Sequence, residues 1–157
     1  MTDFSQWQTA SFDDTIDYIL ERYHRKGLEQ FAEVVALTEK VTNAHGDKFS
    51  PEALPHVRVM MQELQSHFMK EEQALFPMIR NGIGRGAAMP IRVMMMEHDD
   101  HEAAVARLLE LTNNLELPAG ACQTWTRLYE VIREFVDDLH DHIYLENEIL
   151  FPRVLAS

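Results

Sequence analysis

His67-Phe68-Met69-Lys70-Glu71-Glu72-Gln73-Ala74-Leu75-Phe76-Pro77 is answered later in the chain by His142-Ile143-Tyr144-Leu145-Glu146-Asn147-Glu148-Ile149-Leu150-Phe151-Pro152. His, Glu, Leu, Phe and Pro recur at identical spacing, and Glu63-Leu64 and Asp138-Leu139 hold the same offsets before each histidine. His-x-x-x-Glu puts an imidazole and a carboxylate on one face of an α-helix, one turn apart. One such pair alone reads as a surface ion pair. Two copies with the same apolar flanks read as inward-facing, and burying bare His–Glu pairs is costly unless something satisfies them.

The flanks place this repeat in an all-α chain. Alternating apolar–polar runs are absent, and Leu, Glu, Met, Ala and Arg are plentiful. Breakers gather at 45–51, 81–86 and 115–120. Gly46 and Gly82 read as helix stops, and Ser50-Pro51 as an N-cap and first helical position. Four helical segments remain, over roughly 12–44, 51–81, 89–114 and 119–151, with apolar residues recurring at three and four. Long helices with short connections predict an antiparallel up-down-up-down four-helix bundle over 12–157. Residues 1–11 read as a polar N-terminal lead, with Trp7 as its docking anchor.

The other two helices each carry a candidate partner for the repeat, His24 on the first and Glu97-His98 on the third. His24 lies about 12 residues from the start of its helix, His67 about 14 from the end of the second, and His98 and His142 each about 9 from helix ends on the same side, depths of roughly 13–21 Å. One helix, one histidine, one layer: the pattern predicts a metal centre. His45, His56 and Cys122 lie far from that layer, and His140 faces away from His142. All four read as surface, loop-contact or packing residues.

Four imidazoles and two carboxylates exceed the four ligands of a structural zinc. They suit two metals bridged by Glu71 and Glu146, with iron favoured over manganese by the imidazole-rich set. With a bridging oxide or hydroxide, two coordination positions stay open, one on each metal. His101, three residues after His98, is a seventh candidate that would leave only one. One open position suits reversible dioxygen binding. Two suit paired small ligands such as nitric oxide, and metals more easily given up. A ferritin-like centre needs Glu-x-x-His on two helices, and only Glu21-Arg22-Tyr23-His24 fits. Glu63, Glu97 and Asp138 read either as acids that orient the imidazoles or line an entry path, or as ordinary salt-bridge partners.

Composition bounds the partners. The 157 residues carry a formal net charge of −12, a poor match for nucleic acid or an anionic membrane. The single Cys122 excludes an intrachain disulfide. A polar start and the lack of an 18-residue apolar run point to the cytoplasm.

From about Ile16 onward the chain resembles the hemerythrin-like di-iron domain, and within it the iron–sulfur cluster repair proteins (repair of iron centres, RIC). The resemblance rests on Glu21-Arg22-Tyr23-His24, on the run from Lys70 to Ile79, and on Glu97-His98-Asp99-Asp100-His101. Thr112-Asn113-Asn114, Ala121-Cys122-Gln123-Thr124-Trp125 and the closing run from His142 to Arg153 complete it. It implies a carboxylate-bridged di-iron site with the family's ligands on His24, His67, Glu71, His98, His142 and Glu146, and its tunnel acids on Glu63 and Glu97. It implies action under nitrosative or oxidative stress, through nitric oxide or dioxygen at the iron pair or iron donation to damaged clusters. Nitric oxide reductase-type activity at that pair is one form of this. Three departures stand out. The family's small N-terminal domain with adjacent cysteines is not in this sequence. Gly27 stands where a second helix-one histidine is frequent. His101 is additional. A hemerythrin-like dioxygen storage or sensor module is the alternative, but oxygen carriers use His-x-x-x-His and His-x-x-x-x-Asp where this chain has Glu102 and His142-x-x-x-Glu146.

Overall fold

A computed structural model describes residues 2–157. Ser11 opens the first long helix: its side chain accepts from the Asp14 N–H at 3.0 Å. Asp13 and Asp14 then sit in the first turn, where the helix dipole favours negative charge. This helix, α1, spans residues 12–45 as α-helix Phe12–Ile19, a π-helical turn Leu20–Arg25, and α-helix Lys26–His45. Helix α2 joins Ala53–Lys70, a π turn Glu71–Leu75 and Phe76–Arg80; α3 is Ala88–Leu111; α4 joins Gln123–Tyr144, a π turn Leu145–Leu150 and Phe151–Ala156. The four form an antiparallel four-helix bundle, and no strand occurs among the described residues. The Lys26–His45 segment packs on both Gln123–Tyr144 and Ala53–Lys70, and Ala53–Lys70 packs on α3.

The ends of the helices differ in detail from the sequence reading. Helix α2 begins at Ala53, because Ser50 and Pro51 form a preceding turn in which the Ala53 N–H bonds to the Ser50 carbonyl at 3.2 Å. Gly82 and Gly120 take positive φ of 74° and 81°, which suits glycine. Gly46 keeps helical φ of −59°. What selects glycine there is space, since a Cβ would lie 2.9 Å from the Thr42 carbonyl oxygen.

Two apolar clusters fill the bundle. One, around Phe31, Leu64, Trp125, Leu128 and Phe135, occupies the half containing the α1–α2 and α3–α4 connections. The other, around Ile16, Phe76, Ile91, Leu145 and Phe151, occupies the half with the chain ends. Between them His24, His67, Glu71, His98, His142 and Glu146 form a buried polar layer. The start of the chain joins the second cluster: Trp7 is buried, its ring lies 4.4 Å from that of Tyr18, and Arg153 donates to its carbonyl at 2.8 Å. Trp7→Ala removes that anchor and lowers unfolding free energy by about 3 kcal/mol. Guanidinium denaturation at fixed metal loading measures it, and an unchanged midpoint contradicts the packing argument.

Candidate metal centre

The three π turns fall where the polar layer needs them. Leu20–Arg25 contains His24, Glu71–Leu75 begins at Glu71, and Leu145–Leu150 contains Glu146. Such insertions re-aim side chains and recur at functional sites. In α2 and α4 a local cause is visible. Each π turn runs into Leu-Phe-Pro, Leu75 to Pro77 and Leu150 to Pro152, and proline has no N–H to continue an α-helical ladder and crowds the carbonyl four residues back. Nothing in the local sequence accounts for the turn in α1.

The layer has two overlapping donor groups, each of a size that could hold one ion. His24, Glu71, His142 and Glu146 place one donor atom each within 4.8 Å of one another, and so do His67, Glu71, His98 and Glu146. Both carboxylates belong to both groups. His24 Nε2 stands 3.0 Å from Glu71 Oε1, and His98 Nε2 stands 3.0 Å from Glu146 Oε1. His67 and His142 face their own helix's glutamate, at 3.5 and 3.1 Å. A pseudo-two-fold thus exchanges α2 with α4 and α1 with α3.

The chemistry of this set fits metal ions better than it fits itself. Glu71 and Glu146 are both 0% exposed. Burial raises the Glu71 carboxyl, and the neighbouring Glu146 charge adds to that effect. Burial also opposes ionisation of Glu146, but His142 and His98 outweigh it and hold it well below the ordinary range. Burial is the main reason His24 falls to about 3 and His67 to about 4, with nearby imidazoles contributing. These rings are therefore neutral at pH 7, the state that offers a lone pair. His67 Nε2, His98 Nε2, Glu71 Oε2 and Glu146 Oε1 make no hydrogen bond, although His98 Nε2 and Glu146 Oε1 are within reach by distance. Close donors that miss hydrogen-bond alignment are what atoms converging on a shared cation produce.

The far nitrogens of three imidazoles are anchored. Glu97 Oε1 pairs with His67 Nδ1 at 2.9 Å, Glu72 Oε2 with His24 Nδ1 at 2.9 Å, and Asn147 Oδ1 with His98 Nδ1 at 2.7 Å. Such partners orient the ring and select the tautomer that leaves Nε2 free. Glu97 is itself held by Lys70 at 2.6 Å. Burial opposes its ionisation, but Lys70 and His67 keep its carboxyl below the usual value. Glu72 and Asn147 escaped the sequence reading. A signal existed: each is the polar residue immediately after a repeat glutamate.

The remaining candidates separate. His101 belongs to neither donor group. It is 6% exposed, its ring stands edge-on to that of His67 with centroids 4.7 Å apart, and its Nδ1 makes no hydrogen bond. It forms the inner wall of a groove of about 600 Å³ between α2 and α3, with Glu63, Lys70, Glu97 and Asp100 along its sides. Asp138 takes a two-pronged pair from Arg22, both bonds 3.0 Å, and so ties α4 to α1. His56 Nε2 straps α2 to α3 through the Ala104 carbonyl at 2.8 Å. His45 Nε2 meets Cys122 Sγ at 3.3 Å at the opposite end of the bundle.

Residues 15–154 match the hemerythrin HHE cation-binding domain. The chain is 56% identical to the iron–sulfur cluster repair protein DnrN of Neisseria gonorrhoeae over 157 residues, all of both chains. It is 49% identical to a probable iron–sulfur cluster repair protein of Haemophilus influenzae, over 95% of this chain and 68% of that one. It is 46% identical to the iron–sulfur cluster repair protein YtfE of Musicola paradisiaca, over 96% and 69%.

Two variants test the donor assignment. Glu71→Gln removes a buried carboxyl that burial and the Glu146 charge push toward its neutral form. It stabilises the metal-free protein at pH 7 by about 1–3 kcal/mol in urea denaturation with chelator present, while metal content per chain drops. His101→Ala leaves metal content per chain unchanged by elemental analysis; a loss of one ion would make His101 a ligand.

Proposed function

Because the chain belongs to the hemerythrin HHE cation-binding family, we propose that it is a non-haem di-iron protein of the nitrosative and oxidative stress response that donates iron for iron–sulfur cluster repair. His24, His67, His98 and His142 would hold one iron pair, with Glu71 and Glu146 shared between the two ions and an oxide or hydroxide completing the bridge. Bound there, the pair supplies redox chemistry and open positions for small ligands such as nitric oxide or dioxygen. The bundle over 12–157 is the metal-binding unit, and residues 1–11 are its N-terminal lead.

The observation that carries this reading is the place of His101. It stands outside both donor groups, which supports two positions without a protein donor rather than one. That favours a centre that binds paired small ligands and gives up its metal over a dioxygen store or sensor. The groove between α2 and α3 supports the same conclusion. It leads solvent to a wall one ring away from His67, past three acids whose charge draws a cation. Lys70 closes on Glu97 there, so an ion moving along the groove meets a carboxylate whose existing partner is half-exposed and exchangeable.

The residues divide the remaining work. Glu72, Glu97 and Asn147 hold three rings in register, and the two apolar clusters exclude bulk water from both sides. No helix among the described residues is long and apolar enough to cross a membrane. A cytoplasmic site of action, with apo iron–sulfur proteins as recipients and no nucleic-acid partner, completes the proposal.

Anaerobic incubation of the di-ferrous protein with an apo iron–sulfur protein, sulfide and thiol tests donation. The recipient's cluster absorption is expected to return as iron leaves this chain. Retention of iron while a ferrous salt rebuilds the cluster overturns it. Mixing the same di-ferrous protein with nitric oxide separates simple binding, seen as stable nitrosyl bands, from reduction, seen as nitrous oxide.

A further inference from the structure

Three of the four buried imidazoles have a side-chain anchor on Nδ1, and the pseudo-two-fold identifies where the fourth is missing. The operation that exchanges α1 with α3 maps Glu97, which anchors His67, onto Tyr23. Tyr23 cannot perform that task. Its ring lies flat on that of His142, centroids 5.0 Å apart and planes 2° from parallel. His142 Nε2 is turned to Glu146 at 3.1 Å, which leaves Nδ1 on the other side of the ring.

A cavity of about 10 Å³ is lined by His142 together with Gly27, Gln30 and Asp138 among others, room for about one water. Gly27 is buried in the interior of α1, and a Cβ built on it would meet nothing within 4 Å. The glycine therefore keeps the space open. Gln30 Nε2 donates to Asp138 Oδ2 at 3.1 Å, and Arg22 fixes Asp138 in turn. With its amide nitrogen committed, Gln30 presents Oε1 elsewhere, and that oxygen is buried without a hydrogen-bond partner.

We infer that one water, bound in the space Gly27 leaves open, links His142 Nδ1 to Gln30 Oε1 and Asp138, and that Gln30 is a positioning residue for the metal centre. Three polar partners are what a buried water takes. Water suits this position because it can donate or accept. With Nε2–H directed at Glu146, the water gives its two hydrogens to Nδ1 and Gln30 Oε1, and Asp138 keeps its bonds from Arg22 and Gln30. With Nε2 on a metal, Nδ1–H donates to the water, which gives its two hydrogens to Gln30 Oε1 and Asp138. A fixed carboxylate could serve only the second state.

The link to metal affinity rests on the di-iron reading, but the water itself does not. Gly27→Ala puts a methyl group into the space, and Gln30→Met removes the acceptor at similar size. In metal-free protein, imidazole ¹⁵N spectra are expected to show the His142 resonances displaced in both variants, with those of His24, His67 and His98 unmoved. Ferrous affinity, measured anaerobically against a chelator, falls about tenfold or more. An interior Gly→Ala that fills a dry void would instead raise thermal stability and leave the His142 resonances in place, and that result overturns the inference. If wild-type protein takes up no iron, the di-iron reading falls while the metal-free spectra still decide the water.

Discussion

Everything in this molecule is arranged around two carboxylates that cannot comfortably share one interior. Glu71 and Glu146 have no exposure to solvent and place donor oxygens within 4.8 Å of one another. Two buried like charges are among the costliest arrangements available to a protein, and two of the imidazoles beside them, His24 and His67, are held neutral by burial rather than supplied as counter-ions. A pair of cations would resolve the conflict. Without them Glu71 is pushed toward its neutral form, a cost that the apolar clusters above and below must outweigh. Stability and metal retention are therefore opposed in the same six residues, a common consequence of building a site inside a core.

The internal repeat explains how one chain surrounds such a centre evenly. Each repeat arm supplies a histidine, a shared glutamate one turn later, and a polar residue after it that reaches across to the imidazole of an adjacent helix. Glu72 reaches His24 and Asn147 reaches His98. The π turns before Pro77 and Pro152 rotate the two glutamates relative to the preceding helix, so proline shapes the centre from outside the donor set. Symmetry fails in two places: Tyr23 opposite Glu97, and Gly27, with the small cavity beside it, opposite His101. Both touch His142 or His67, so the two donor groups have unequal surroundings, and the groove reaches only the His67 side.

That inequality bears on function. The donor group containing His67 and His98 lies nearer the acid-lined groove than the one containing His24 and His142, which is covered by Tyr23, Phe68 and the Arg22–Asp138 pair. The relatives at 46–56% identity are named as iron–sulfur cluster repair proteins.

Much of this was legible beforehand because helical periodicity is a local property. Spacing of four puts His67 with Glu71 and His142 with Glu146 on single faces whatever the fold around them, and 1.5 Å per residue puts four histidines at similar depth. The four helices, their breaks and the shared layer follow from those two numbers and the apolar pattern. The rotation of each helix about its own axis does not, because side chains from all four helices set it together. Rotation decided that His101, only 60° or so from His98, stays outside the donor groups. It decided that Glu97, Glu72 and Asn147 anchor imidazoles while Asp138 pairs with Arg22, and that His45 and Cys122 meet at the far end. Gly27 reads in the sequence as a neutral departure from a pattern. Only packing reveals it as the floor of a cavity beside His142, because empty space is a property of neighbours and never of the residue that leaves it.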